Sequence, residues 1–155
     1  MKNIAPVEAE LLLAHALGIN RMELHGRVIE LSMEQAAETA EIYNQAIAER
    51  LTGKPTQYIV GLAPFRYLEY EVGPGVLIPR PETESLVDEV LHQLNTFADP
   101  VSLVDLGSGT GAIAISIASE TAGKKVVHVV AVEKSTEAIV WLQKNITKHD
   151  VSVRV

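Results

Sequence analysis

Residues Val104 to Ser116 read VDLGSGTGAIAIS, and the fold turns on this stretch. An apolar segment runs into Gly107, Gly109 and Gly111 at alternate positions and then straight into a small-residue helix. Strand, bare-backbone turn and helix together open a βα unit. Just upstream, VSLVDL (101–106) is almost continuously apolar, as in a parallel sheet covered on both faces. Downstream, Ala112–Ala118 is predicted helical, KKVVHVVAVE (124–133) reads as a second buried strand, and Ser135–His149 as a second helix. Val151–Val155 begins a third strand. The fold class is therefore α/β, with a sheet that is incomplete within these residues.

The N-terminal side has a different texture. Residues 54–80 contain TQYIVGLAPFRYLEYEVGPGVLIP, rich in aromatic and β-branched residues and broken by Gly61, Pro64, Gly73, Pro74 and Gly75, which predicts a β-hairpin connector. Residues 1–53 have helical periodicity. Val7, Leu11, Leu12, Ala14 and Leu17 fall on one face of a first helix capped by Gly18, and a short second helix is expected over Arg21–Arg27. Ser32 followed by Gln35 is a capping box that opens a helix to about Leu51, with Gly53 and Pro55 as stop signals. Pro81 then marks a new helix start, and Leu86, Val87, Val90, Leu91 and Leu94 recur at helical spacing. Three segments result: 1–53 helical, 54–80 connecting, and 81–155 opening an α/β domain.

Composition excludes several classes. The chain has 155 residues, 47% apolar, a formal charge of −7 and no cysteine. A surface built to neutralise phosphates needs clustered Lys and Arg, so direct nucleic-acid binding is not expected. Without cysteine there is no disulfide framework, thiol nucleophile or thiolate-bound metal. The five histidines have no metal-ligand spacing, and no Gly-x-Ser-x-Gly elbow surrounds Ser108, so no metal site is expected. With no membrane span and no signal segment, a cytoplasmic location is expected.

The glycine spacing is G-x-G-x-G, one residue shorter than the dinucleotide fingerprint G-x-G-x-x-G. Either arrangement lets a ligand approach the backbone at a helix N-terminus. Asp105, two residues before Gly107, puts a carboxylate where a pyrophosphate would be repelled and a cation attracted. Glu133 ends the next strand, 22 residues past Gly111, where a carboxylate in such folds accepts hydrogen bonds from both hydroxyls of a ribose. S-adenosylmethionine carries both a ribose and a positive charge. The plainer alternatives are glycines that only permit tight packing and an ordinary exposed carboxylate at a strand end.

VDLGSGTGAIAISIA resembles the first motif of class I methyltransferases. With GKPTQYIVG (53–61), GVLIPRPETE (75–84) and the helical N-terminal segment, nearly the whole chain resembles the HemK/PrmC family, glutamine methyltransferases that modify peptide chain release factors. The resemblance implies a Rossmann-like methyltransferase domain using S-adenosyl-L-methionine. In that reading Gly107, Ser108, Gly109, Thr110 and Gly111 line the methionine part, Asp105 neighbours its amino group, and Glu133 holds the ribose. Arg80, Pro81, Glu82, Thr83 and Glu84 would border the active-site cleft; alternatively Arg80 pairs with Glu82 or Glu84 to fix the helix entry. The protein substrate would be a class 1 release factor, engaged in part by residues 1–53.

The family orients the glutamine amide with an Asn-Pro-Pro-Tyr motif after the fourth strand. These 155 residues contain no such motif, so catalytic residues are expected beyond Val155 and none within the chain. The chain alone is then expected to be inactive, and its open sheet edge prone to self-association. A non-catalytic module that binds a cofactor or a protein is the competing reading.

Overall fold

The computed structural model describes residues 4–26 and 28–155. The chain divides into two compact units, Met1–Gly61 and Leu62–Val155.

The first unit is helical. Helix α1 (Pro6–Leu17) has proline at its first position, where no N–H is missed, and Glu8 Oε2 accepts the Ala5 N–H at 3.2 Å. Gly18, at φ 64°, ends it in the left-handed conformation. Helix α2 is Glu23–Gly26; the Arg27 end of the expected second helix lies outside the described residues. Helix α3 (Met33–Thr52) opens with the capping box foreseen in the sequence: Ser32 Oγ accepts from Gln35 N at 3.1 Å, and Gln35 Oε1 accepts from Ser32 N at 2.9 Å. Helix α4 (Thr56–Val60) was not foreseen. Its β-branched and aromatic residues suggest a strand, but Pro55 presets the helix entry and the Thr56 hydroxyl donates to Glu8 Oε1 at 2.9 Å. The same Glu8 oxygen accepts from Arg50 Nε at 2.8 Å, so one carboxylate joins α1, α3 and α4. Arg50 first, with Thr56 and the Ala5 amide, holds the Glu8 carboxyl below the usual carboxylate range. Leu12, Ala14, Ala16 and Ala46 form the buried seam.

The second unit begins with an antiparallel hairpin, β1 (Leu62–Phe65) and β2 (Leu68–Glu71). Arg66 opens its two-residue turn at φ 52°, a conformation unfavourable for a residue with a Cβ. Its guanidinium supplies the compensation. It is buried against Glu120 (2.9 Å from Nη2 to Oε2), Asp88 (2.7 Å) and the Glu84 carbonyl (3.1 Å), which fastens the hairpin tip to the helices below.

After the hairpin come α5 (Glu84–Leu94), β3 (Val101–Leu106), α6 (Ala112–Thr121), β4 (Val127–Val132), α7 (Thr136–His149) and β5 (Val153–Arg154). The three strands form a parallel sheet in the order β3-β4-β5, with Asp105 opposite Ala131 and Val129 opposite Val153. Phe65, Tyr70, Val72, Val87, Ile115, Ile117 and Leu142 make the core. Burying each large aliphatic side chain contributes about 1.5–3 kcal/mol. The Tyr70 hydroxyl donates to Ala112 O at 3.2 Å and lies 2.8 Å from Ser116 Oγ; burial pushes its pKa up to about 12.

The sheet departs from the two-faced burial that its apolar strands suggest. Asp105, Val129 and Ala131 are buried on the α6 side. On the opposite side Val104 is 56% exposed, Leu106 77% and Val132 45%, and nothing among the described residues covers them. The strands carry the composition of a doubly covered sheet, but among the described residues only one layer of helices packs on it.

Candidate functional site

Parallel pairing of β3 with β4 brings two strand ends together, and the loop that follows β3 folds across both. Gly107 N and Ser108 N donate to Val132 O at 2.7 and 3.1 Å, so the loop is hung on the last residue before Glu133. Ser108 Oγ returns to Asp105 O at 2.9 Å, and Gly111 N closes the turn on Ser108 O at 2.7 Å. Helix α6 starts there. Gly107, Gly109 and Gly111 have φ of 79°, 56° and 83°, all in the region that side chains avoid.

The three glycines face different surroundings. A Cβ on Gly111 would come within 2.6 Å of Leu142 Cδ1 and 2.7 Å of Ile115 Cδ1, so its bareness serves packing between α6 and α7. On Gly107 a Cβ would meet nothing within 4 Å, and on Gly109 only Val76 Cγ2 at 3.8 Å. Two of the glycines thus leave backbone open to a ligand, and the third is needed by the fold.

Beneath the loop, Asp105 is 8% exposed and its Oδ2 has no hydrogen-bond partner, an uncommon and unfavourable state for a buried carboxylate oxygen. Burial pushes its pKa up, repulsion from Glu133 adds to this, and hydrogen bonds from Ser108 and the Ala114 amide offset part of it. A cation donating to Oδ2 would satisfy the orphan and neutralise the charge. An anionic pyrophosphate would do neither.

Glu133 is engaged at both oxygens. Oε1 accepts from Lys134 N at 2.8 Å and Ser135 N at 2.9 Å, and Oε2 accepts from Gly109 N at 2.9 Å. These amides, Ser135 and Gly109 foremost, hold its carboxyl below the usual range. A carboxylate has about four acceptor sites, so one stays open on Oε2, which suffices for one hydroxyl rather than two. Ser108 and Thr110 are buried.

Asn145 is a part of the site that sequence reasoning missed. Wholly buried, it accepts from Glu71 N at 2.7 Å through Oδ1, and its Nδ2 donates to Glu71 O at 3.0 Å and Thr110 O at 3.1 Å. It therefore ties the hairpin to the glycine loop. The signal was present, since Ala138, Leu142 and Asn145 share one helical face and Asn145 is the polar member of that core stripe. The loop after β2 packs on the same helix. Trp141 lies over Gly73, with its indole N–H donating to Pro74 O at 3.1 Å, and Val76 reaches Gly109.

The 80–84 segment lies beside the hairpin tip. Pro81–Thr83 forms a 3-10 turn into α5; Arg80, Pro81 and Glu82 are exposed, and Thr83 is half-buried. Glu84 Oε1 accepts the Arg66 N–H at 3.1 Å. Arg80 makes no ion pair among the described residues, so the alternative in which it pairs with Glu82 or Glu84 does not form; the Arg66 guanidinium instead pairs with Asp88 and Glu120 and donates to the Glu84 carbonyl. No cluster of three or more His, Asp or Glu suited to a metal occurs among the described residues.

The family model described as PrmC N-terminal domain matches residues 2–61, and the methyltransferase small domain matches residues 84–155. The chain belongs to the HemK/PrmC family. It carries a methyltransferase domain behind a helical N-terminal region. Among similar curated proteins, a release factor glutamine methyltransferase of Chlorobaculum tepidum is 36% identical over 153 residues, 96% of this chain and 50% of the relative. Proteins of the same name from Burkholderia pseudomallei and Streptomyces coelicolor are 42% and 40% identical, over 92% and 95% of this chain and 47% and 49% of the relatives. The chain thus spans about half the length of the curated relatives it matches. No helix among the described residues is long and apolar enough to cross a membrane.

Proposed function

We propose that this chain is the cofactor-binding part of an S-adenosylmethionine-dependent methyltransferase acting on the side-chain amide of a release-factor glutamine. The observation that carries the cofactor reading is the buried, unpartnered Oδ2 of Asp105 beneath a glycine loop whose open positions face space rather than packing. The names of the relatives support the substrate.

When bound, the cofactor supplies an electrophilic sulfonium methyl group. The chain's residues orient and neutralise. Asp105 Oδ2 accepts from the ligand's ammonium, Gly107 and Gly109 admit its chain against the backbone, and Glu133 Oε2 accepts from a ribose hydroxyl. Val76 walls the loop from the hairpin side. Arg80 to Glu84 border the cleft from the helix entry. The helical unit engages the release factor, and the open sheet face supports association with a second copy.

Holding a weakly nucleophilic amide in line with the methyl group supplies a large share of rate acceleration, about 7–11 kcal/mol in well-oriented reactions. None of the 155 residues matches the motif the family uses for that task. The role proposed for these residues is binding and orienting the cofactor, and a non-catalytic binding module is the competing reading.

Titration calorimetry with S-adenosylmethionine and with NAD tests the binding claim, with saturable heat expected from the first alone. Preference for NAD, or no binding of the methyl donor, overturns it. Methyl incorporation into an unmodified release factor by the purified chain would overturn the non-catalytic reading.

A further inference from the structure

Resting on the cofactor reading above, we infer that Glu133 is a positioning residue for the glycine loop as well as a ribose acceptor, so that the two ends of the cofactor are coupled through one carboxylate. Oε1 is fixed by the Lys134 and Ser135 amides at 2.8 and 2.9 Å, which sets the plane of the group from its own strand end. Oε2 then crosses to the β3–α6 loop and accepts the Gly109 N–H at 2.9 Å.

The rest of the loop shows why this bond matters. Its ends are pinned by backbone bonds from Gly107, Ser108 and Gly111, and the Thr110 carbonyl is held by Asn145. At its centre Gly109 has no side chain, sits at φ 56° and has only Val76 near the place of a Cβ. The Glu133 carboxylate is what holds that amide in the ligand-free chain. One acceptor site stays open on Oε2, so a ribose hydroxyl can bind without evicting Gly109. The loop that would receive the methionine end is then already set when the adenosine end arrives, which is preorganisation.

Reach makes the idea testable. Aspartate is shorter by one methylene, about 1.5 Å of chain. In Glu133→Asp the charge stays and an oxygen still faces the local amides, but the group no longer spans to Gly109. Amide exchange in the ligand-free 155-residue chain, followed by NMR, should show Gly109 exchanging about 10- to 100-fold faster in the variant, the equilibrium factor for one hydrogen bond to a charged group. Amides in α6 and β3 should keep their rates. A merely structural role would move them all together, and unchanged exchange at Gly109 overturns the inference.

The second arm titrates wild type and Glu133→Asp with adenosine and with S-adenosylmethionine. A carboxylate that only holds the ribose weakens both ligands by the same factor, since both carry the diol. A carboxylate that also sets the loop weakens S-adenosylmethionine by at least several-fold more than adenosine, and equal losses overturn the coupling. If neither ligand binds the wild type, the cofactor reading falls, while the exchange arm still decides whether Glu133 holds the loop.

Discussion

The division of labour among the glycines makes Gly111→Ala and Gly107→Ala a matched pair. Both positions have left-handed backbone, φ 83° and 79°, so alanine carries the same conformational cost at each, about 1–2 kcal/mol. The surroundings then separate them. At 111 the new methyl would lie 2.6 Å from Leu142 Cδ1 and 2.7 Å from Ile115 Cδ1, and both partners are fully buried, so neither can swing into solvent. Overpacking of this kind adds about 1–3 kcal/mol, for a total of about 2–5. At 107 the methyl meets nothing within 4 Å and the total stays at about 1–2 kcal/mol. Trp141, the only tryptophan, sits on α7 in the same unit and reports its unfolding. With urea slopes of about 1–3 kcal/mol/M for small proteins, the Gly111→Ala midpoint should fall by about 1–3 M and the Gly107→Ala midpoint by clearly less. Ligand binding should show the reverse order, with Gly107→Ala losing affinity at a nearly intact fold. Equal midpoint shifts for the two variants would refute the packing role of Gly111.

Asp105→Asn should raise the stability of the ligand-free chain at neutral pH, measured as a higher melting temperature, because the folded state holds a buried carboxylate whose pKa is raised. The sign follows from proton counting: between the unfolded and the raised folded pKa the native state binds more protons, so stability falls as pH climbs through that window. The variant should lack this dependence; a melting temperature that is unchanged or lower at neutral pH would contradict the assignment. The open sheet face gives the other test. Sedimentation velocity at rising concentration should show self-association, and Leu106→Lys together with Val104→Lys should reduce it, since both side chains are largely exposed and apolar. A chain that stays monomeric at high micromolar concentration would count against it.

How much of this was legible depended on whether a signal was local. Ser32 with Gln35 and Gly18 or Gly53 after a periodic stretch are complete instructions within a few residues, and each cap forms. The βα units were legible because an apolar run followed by glycines has few other uses. Helix α4 was not, because its residues favour a strand and part of what holds it as a helix is the long-range bond from Thr56 to Glu8, 48 positions away. The Arg66 anchor was hidden for the same reason, since its carboxylate partners come from α5 and α6. Proximity in the sequence offered Arg80 to Glu82 or Glu84 as the alternative to a place at the cleft, whereas the hairpin fold brings the Arg66 N–H to the Glu84 carboxylate. For the candidate site, glycine spacing drew attention to the β3–α6 loop but could not separate Gly111, whose neighbours come from α6 and α7, from Gly107, which has none.

The two carboxylates also bear on which ligand suits the loop. A glycine turn at a helix N-terminus is by itself an anion site, because free amides and the helix dipole both favour negative charge. Here the central amide, Gly109 N–H, is already given to Glu133, and Asp105 lies buried directly below. Two negative groups on one small loop repel each other, and this is part of why the Asp105 carboxyl is pushed up. An incoming phosphate would add a third negative group and lose a donor it needs. A ligand presenting an ammonium to Oδ2 and a hydroxyl to Oε2 removes the orphan and the repulsion in one step, and its affinity should weaken as Asp105 is protonated at low pH. The chemistry that the loop prefers is therefore set less by the glycines than by the acids that end the two adjacent strands. Exchanging both for amides, Asp105→Asn with Glu133→Gln, should turn the preference away from S-adenosylmethionine and toward anions, and competition titrations with inorganic pyrophosphate would show it. If the double variant keeps its preference for the methyl donor, the charge argument fails and shape alone selects the ligand.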